Sequence, residues 1–89
     1  MSIKILIADD HRIMRSGLRS LLDKELDMEV VAEAENGRMT VQLALKLSPD
    51  VVIMDISMPD LNGIEASRQI LSGAPDIKVV ALSLSLIHI

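Results

Sequence analysis

The sequence predicts an α/β fold, a doubly wound parallel sheet covered by helices on both faces. Three observations predict it. Short apolar runs alternate with segments of helical periodicity along the 89 residues, the order that builds parallel sheets. The runs "ILIA", "VVIM" and "VVAL" are apolar without interruption, as strands covered on both faces are. Acids close two of these runs, Asp9-Asp10 after "ILIA" and Asp55 after "VVIM". In open sheets of this kind ligands bind beyond the carboxyl ends of the strands.

Each element follows from local chemistry. "IKILIAD" (3–9) is a short Ile-rich run ended by acids, a strand. Met14, Leu18, Leu21 and Leu22 recur at i, i+4, i+7 and i+8, one face of a helix over 12–24. "MEVVAEA" (28–34) is the second strand. Asn36-Gly37 opens a helix over 38–47, with Asn36 as N-cap. Val41, Ala44 and Leu45 form its inner face, and Ser48-Pro49 stops it. "DVVIMD" (50–55) is the third strand. Asn62-Gly63 opens a helix over 63–72, closed by Gly73 and Pro75. "IKVVALS" (77–83) is the fourth strand, so the order is β-α-β-α-β-α-β.

Composition narrows the function. The length allows one small domain, without repeats or linkers. There is no Phe, Tyr or Trp, so Ile, Leu, Val, Met and Ala must build the core. Met14, Met28, Met39, Met54 and Met58 are read as core or gap-filling residues. A net charge of −4 and a pI near 4.9 argue against non-specific nucleic-acid binding by this segment. The absence of Cys excludes disulfides and thiolate metal sites. The N-terminal apolar run is too short for a signal peptide, and no stretch suffices to span a membrane. The expectation is a soluble, cytoplasmic protein.

If the first and third strands are neighbours, Asp9, Asp10 and Asp55 converge on one sheet edge. Clustered carboxylates repel one another. A hard cation relieves that repulsion, and Mg²⁺ prefers oxygen ligands, taking one or two carboxylates plus phosphate oxygens. The pattern therefore points to a magnesium site that also holds a phosphoryl group. There is no P-loop, no His pair at ligand spacing and no Ser-His-Asp order. His11 is read as a surface residue beside the site, not a ligand. Other roles suit these residues taken singly. Asp9 and Asp10 also fit a helix N-terminus, Asp55 fits a turn, and a strand-end Ser83 is often only solvated. Arg12, Arg15 and Arg19 are read as the solvated outer face of the first helix.

With "ADDH" (8–11), "DISMPDLNGIE" (55–65) and "ALS" (81–83) in place, the chain resembles the receiver domain of two-component response regulators. The likeness covers residues 3–83. "DDHRIMRSGLRSLL" and "AENG" further resemble the NarL/FixJ-type subfamily, whose members usually carry a LuxR-type helix-turn-helix domain. The resemblance implies a flavodoxin-like (CheY-like) sheet in the order 2-1-3-4, lacking the family's fifth strand. It implies phosphorelay signalling without enzyme activity, with Asp55 accepting a phosphoryl group from a sensor histidine kinase. Asp10 and Asp55 would hold Mg²⁺ with the backbone carbonyl of Ser57, Asp9 assisting. Pro59 and Gly63 would shape the turn behind the acceptor, and Ser83 would contact the phosphoryl group. In the family the face bearing Arg12, Arg15 and Arg19 helps dock the kinase. The longer protein would dimerise on phosphorylation and bind DNA through a missing C-terminal domain.

Two other classes compete. A haloacid-dehalogenase-type phosphatase also forms an aspartyl phosphate, but it needs an acid two residues after the nucleophile, where Ser57 stands. It also usually has the nucleophile after its first strand. A receiver-like module that only binds partners tends to lose one of the acids, and none is lost here.

The resemblance also implies what the chain lacks: a helix, a fifth strand ending in a lysine, and a fifth helix. Lys78 lies too early in the fourth run to replace that lysine. Residues 1–83 are therefore expected to be an incomplete receiver domain. "LSLIHI" (84–89) could prolong the fourth strand, but it is also the in-frame translation of the sequencing-library adapter CTGTCTCTTATACACATC. The tail is expected to be non-native and the 89-residue chain to be an artificial truncation. An apolar edge left on the fourth strand and a bare sheet face would leave it poorly soluble or only partly folded.

Overall fold

In the computed structural model, residues 2–55, 58 and 63–82 are described. Four strands, β1 (Ile3–Ala8), β2 (Met28–Ala34), β3 (Val51–Asp55) and β4 (Lys78–Leu82), alternate with three helices, α1 (Arg12–Asp23), α2 (Gly37–Leu47) and α3 (Gly63–Gly73). All pairings are parallel and the sheet order is β2-β1-β3-β4. Element boundaries agree with the sequence-based expectation to within one residue where they are described. Ser83 and residues 84–89 lie outside the described residues.

Alternate residues of the central strands enter opposite faces of the sheet. Leu6, Ala8, Val52 and Met54 join Ala44, Ala66 and Ile70 in one core under α2 and α3. Ile5, Ile7 and Val30 form a smaller core on the other face, against Leu18 and Leu22 of α1. Both faces of β1 are thus buried, which explains its unbroken apolar run. β4 departs from that expectation: Val79 is half-buried, but Val80 is 47% exposed. The reason is coverage. α1 packs on β1 and β2, and among the described residues β4 is a sheet edge.

Two helix faces also differ from expectation. Met14, Leu18 and Leu22 of α1 are half-buried, but Leu21 is 63% exposed. With about 100° per residue, the buried arc centres between Leu18 and Leu22 and reaches round to Arg15. Leu21 falls outside it. On α2 the buried positions are Gly37, Thr40 and Ala44, with Val41 half-buried. These small residues let the helix lie close to the sheet. Leu45 is instead largely exposed and lies across the end of α3, where a Cβ on Gly73 would stand 2.8 Å from its Cδ2.

Asn36 caps α2 as the sequence predicts, its side chain accepting from the Met39 amide at 2.8 Å. Ser48 ends the helix in the left-handed region, φ 48°, and its amide donates to the Ala44 carbonyl. Met54 and Met58 are core residues, whereas Met39 is 38% exposed, a correction to its reading as a core residue. Among the described residues no helix is long and apolar enough to cross a membrane.

Candidate functional site

β1 and β3 are adjacent and pair Ala8 with Met54. One step further along each strand stand Asp9 and Asp55. The sheet therefore carries both carboxylates to the same end, and both are buried, at 4% and 2% exposure. Asp10 follows on the more exposed side of the β1–α1 turn. Ligand atoms of Asp9, Asp10, His11 and Asp55 all lie within 4.8 Å of one another. The structure thus brings together the three acids selected from the sequence. Ser57, Pro59 and Ser83 lie outside the described residues. Leu82, just before Ser83, pairs with Asp55. Gly63 is the first residue of α3 and is buried.

The β1–α1 turn is held at several points. The Asp9 amide donates to the Ala34 carbonyl at 3.0 Å, continuing the β1–β2 pairing by one residue. Asp9 Oδ1 accepts from the His11 amide at 2.7 Å. Arg15 Nη1 donates to the Asp9 carbonyl at 2.7 Å. The acids sit just ahead of the first turn of α1, where the positive end of the helix dipole favours negative charge.

His11 contributes more than the sequence suggested. Its ring Nδ1 is 3.0 Å from both Asp9 Oδ1 and Asp10 Oδ1. Carboxylates only accept, so Nδ1 carries the proton. The hydrogen bond to Asp9, then the charge of Asp10, raise the His11 pKa above the ordinary histidine value. The charges of Asp9 and Asp55 add smaller contributions in the same direction. The residue is exposed, as expected, yet its ring nitrogen belongs to the acidic cluster. The signal in the sequence was its position two residues after Asp9, which an Asx-type turn folds back onto the carboxylate.

Arg12 and Arg19 are exposed as expected, but Arg15 corrects the reading of this face. Arg15 is not on a solvated face: its side chain is 14% exposed, and its Nε donates to Glu33 Oε1 at 3.2 Å. Arg19 Nη1 donates to Glu33 Oε2 at 2.6 Å. The Arg19 hydrogen bond, with Arg15 adding to it, holds the Glu33 carboxyl below the ordinary glutamate value. Glu33 was missed because a lone acid in a strand reads as a solvated position.

The donor set suits a hard cation. It is dominated by carboxylate oxygens, two of the three carboxylates are buried, and all three are mutually close. Oxygen-rich sets of this kind select Mg²⁺, Ca²⁺ or Mn²⁺ over softer metals.

The model of the response regulator receiver domain matches residues 5–86. The chain belongs to the response regulator receiver domain family. Its curated relatives include proteins named as transcriptional regulatory proteins and as response regulators. The receiver domain is 46% identical over 82 residues to the transcriptional regulatory protein DegU of Brevibacillus brevis, covering 92% of this chain and 35% of that protein. It is 43% identical over 81 residues to the transcriptional regulatory protein LiaR of Bacillus subtilis, covering 91% and 38%. The chain thus spans little more than a third of the length of these relatives. Among solved structures, it superposes on the response regulator domain of Thermotoga maritima CheB with a TM-score of 0.89 at 42% identity, covering 93% of this chain and 61% of that one. It also superposes on the receiver domain of a response regulator NarL from Mycobacterium tuberculosis, with a TM-score of 0.88 at 27% identity, covering 92% and 66%. Both superpositions take in more than nine-tenths of this chain.

Proposed function

We propose that this receiver domain accepts a phosphoryl group on Asp55, donated by the phosphohistidine of a sensor kinase. The observation that carries the proposal is the placement of Asp55. It is a buried carboxylate at the carboxyl end of a central strand, with Asp9 and Asp10 beside it. An Asp55 carboxylate oxygen forms a bond to phosphorus as the phosphorus–nitrogen bond of the donor breaks. The imidazole leaves, taking up a proton from solvent, and an acyl phosphate remains on Asp55. Phosphoryl transfer asks a protein for positioning and charge neutralisation more than for covalent help. β3 supplies the positioning, because it is paired on both sides up to this end, Met54 with Ala8 of β1 and Asp55 with Leu82 of β4.

Asp10 and Asp55, with Asp9 assisting, are the residues that would hold Mg²⁺, together with the backbone carbonyl of Ser57. Bound there, the ion would neutralise charge on the carboxylates and on the phosphoryl oxygens. Ser83 would hydrogen-bond the phosphoryl group. Relatives named as transcriptional regulatory proteins support a further step, in which the longer protein binds DNA through a C-terminal domain in response to phosphorylation; dimerisation in that step rests on the subfamily resemblance alone.

The test uses a small acyl-phosphate donor and Mg²⁺, with the adduct located by mass spectrometry. A single label on Asp55 is expected, dependent on Mg²⁺ and lost in Asp55→Asn. Label at another residue, or label that persists in Asp55→Asn, refutes the assignment. A protein that takes no label supports the binding-module alternative.

A further inference from the structure

We infer that Arg15 is a positioning residue for cation binding by the β1–α1 turn, acting through the backbone of Asp9. The inference rests on the phosphoacceptor reading above. The Asp9 carbonyl lies one residue past the last paired position of β1, so it needs a donor from outside the sheet. Arg15 Nη1 supplies it at 2.7 Å. The guanidinium is itself anchored, since its Nε donates to Glu33 Oε1 at 3.2 Å. Glu33 pairs with Ile7 in the β1–β2 ladder. The chain of contacts therefore runs from the rigid sheet through Glu33 and Arg15 back to the peptide that carries the Asp9 and Asp10 side chains. A planar guanidinium reaches two acceptors at once in a fixed geometry, which a lysine ammonium does not. Arg19 provides an internal contrast. It donates to the same Glu33 carboxylate at 2.6 Å, and its second ion pair is with Asp23 of its own helix, not with Asp9.

Fixing this peptide sets where the Asp9 and Asp10 carboxylates point before a cation arrives. Without Arg15 the turn must be ordered by the cation itself, and apparent affinity falls as the ordered fraction falls. Arg15 touches neither the proposed phosphoryl group nor the proposed metal. Its loss should weaken Mg²⁺ binding and leave the labelling rate at saturating Mg²⁺ within about twofold of wild type.

Calorimetry and amide shifts of Asp10 and His11 report Mg²⁺ binding to the unphosphorylated full-length protein, with MgCl₂ as the only ligand. Arg15→Met keeps the aliphatic stem and removes the donors. Its Kd for Mg²⁺ is expected to rise at least threefold, with Arg15→Lys in between. Arg19→Ala removes an ion pair of similar kind and is expected to leave Kd unchanged. An unaltered Kd in Arg15→Met, or an equal rise in Arg19→Ala, overturns the inference. If Arg15→Met does not keep the native fold, Arg15→Lys decides: a Kd equal to that of wild type overturns it. Labelling of wild type at Asp55 is measured separately. Loss of that label defeats the phosphoacceptor reading while the Mg²⁺ comparison still judges Arg15.

Discussion

Lys4 and Asp50 are joined by two hydrogen bonds at the amino end of the sheet. The Asp50 amide donates to the Lys4 carbonyl at 2.8 Å, and Asp50 Oδ2 accepts from the Lys4 amide at 2.8 Å. The Asp50 carbonyl also accepts from the Lys78 amide at 3.1 Å. A single residue thus ties the starts of β1, β3 and β4 together, at the end of the sheet opposite Asp9 and Asp55.

Asp50→Ala removes only the side-chain acceptor. A net loss of about 1 kcal/mol is expected, the usual worth of one such hydrogen bond. Urea unfolding of wild type and variant measures it. Labelling of Asp55 at saturating Mg²⁺ should not change, because the two ends of the sheet are separated by the length of β3. An unchanged unfolding midpoint would show that solvent replaces the bond without loss.

Gly17 lies in the middle of α1, and a Cβ built there meets nothing within 4 Å. Its φ is not positive. Gly17→Ala therefore meets no steric penalty and reduces the freedom of the unfolded chain. The expected gain is roughly 0.5–1 kcal/mol, seen as a higher thermal midpoint. A lower midpoint would mean that α1 packs against something other than the described residues at this position.

Glu33 makes stability depend on pH. Its pKa is lowered in the folded state, first by the hydrogen bond from Arg19 and then by Arg15. A carboxylate with a depressed folded pKa contributes stability that is complete above its unfolded pKa. That contribution is lost as pH falls through the folded value. The stability difference between wild type and Glu33→Gln should therefore be largest near neutral pH and shrink in acid, below the ordinary glutamate value. Denaturant unfolding across this range reads the difference. A gap that stays constant into acid would sink the assignment of charge to this pair.

Much of this protein is legible in residue order alone, because periodicity and end signals are local. Continuous apolar runs marked three of the four strands, Asn36 marked the start of α2, and Ser48-Pro49 marked its end. The acids at the ends of two runs were visible as candidates for one site. The family resemblance implied the order 2-1-3-4, but the residues read one by one left open whether β1 and β3 are neighbours; the tertiary structure pairs them, which is what makes Asp9 and Asp55 a pair. Strand adjacency depends on pairing between residues more than forty positions apart, as Leu6 with Val52, and no local pattern encodes it. The same holds for the helix faces. Helical periodicity placed Leu21 on the inner arc of α1, but the position of β2 turned that arc toward Leu22 and Arg15. An arginine whose charge is met by Glu33 and which donates from another nitrogen to the Asp9 carbonyl can take a place that hydropathy alone assigns to solvent. The sequence by itself determined which segments form strands and helices and which residues could carry charge to a strand end. The packing of distant segments determined which of those charges meet, because burial and hydrogen bonding depend on neighbours brought together by the fold.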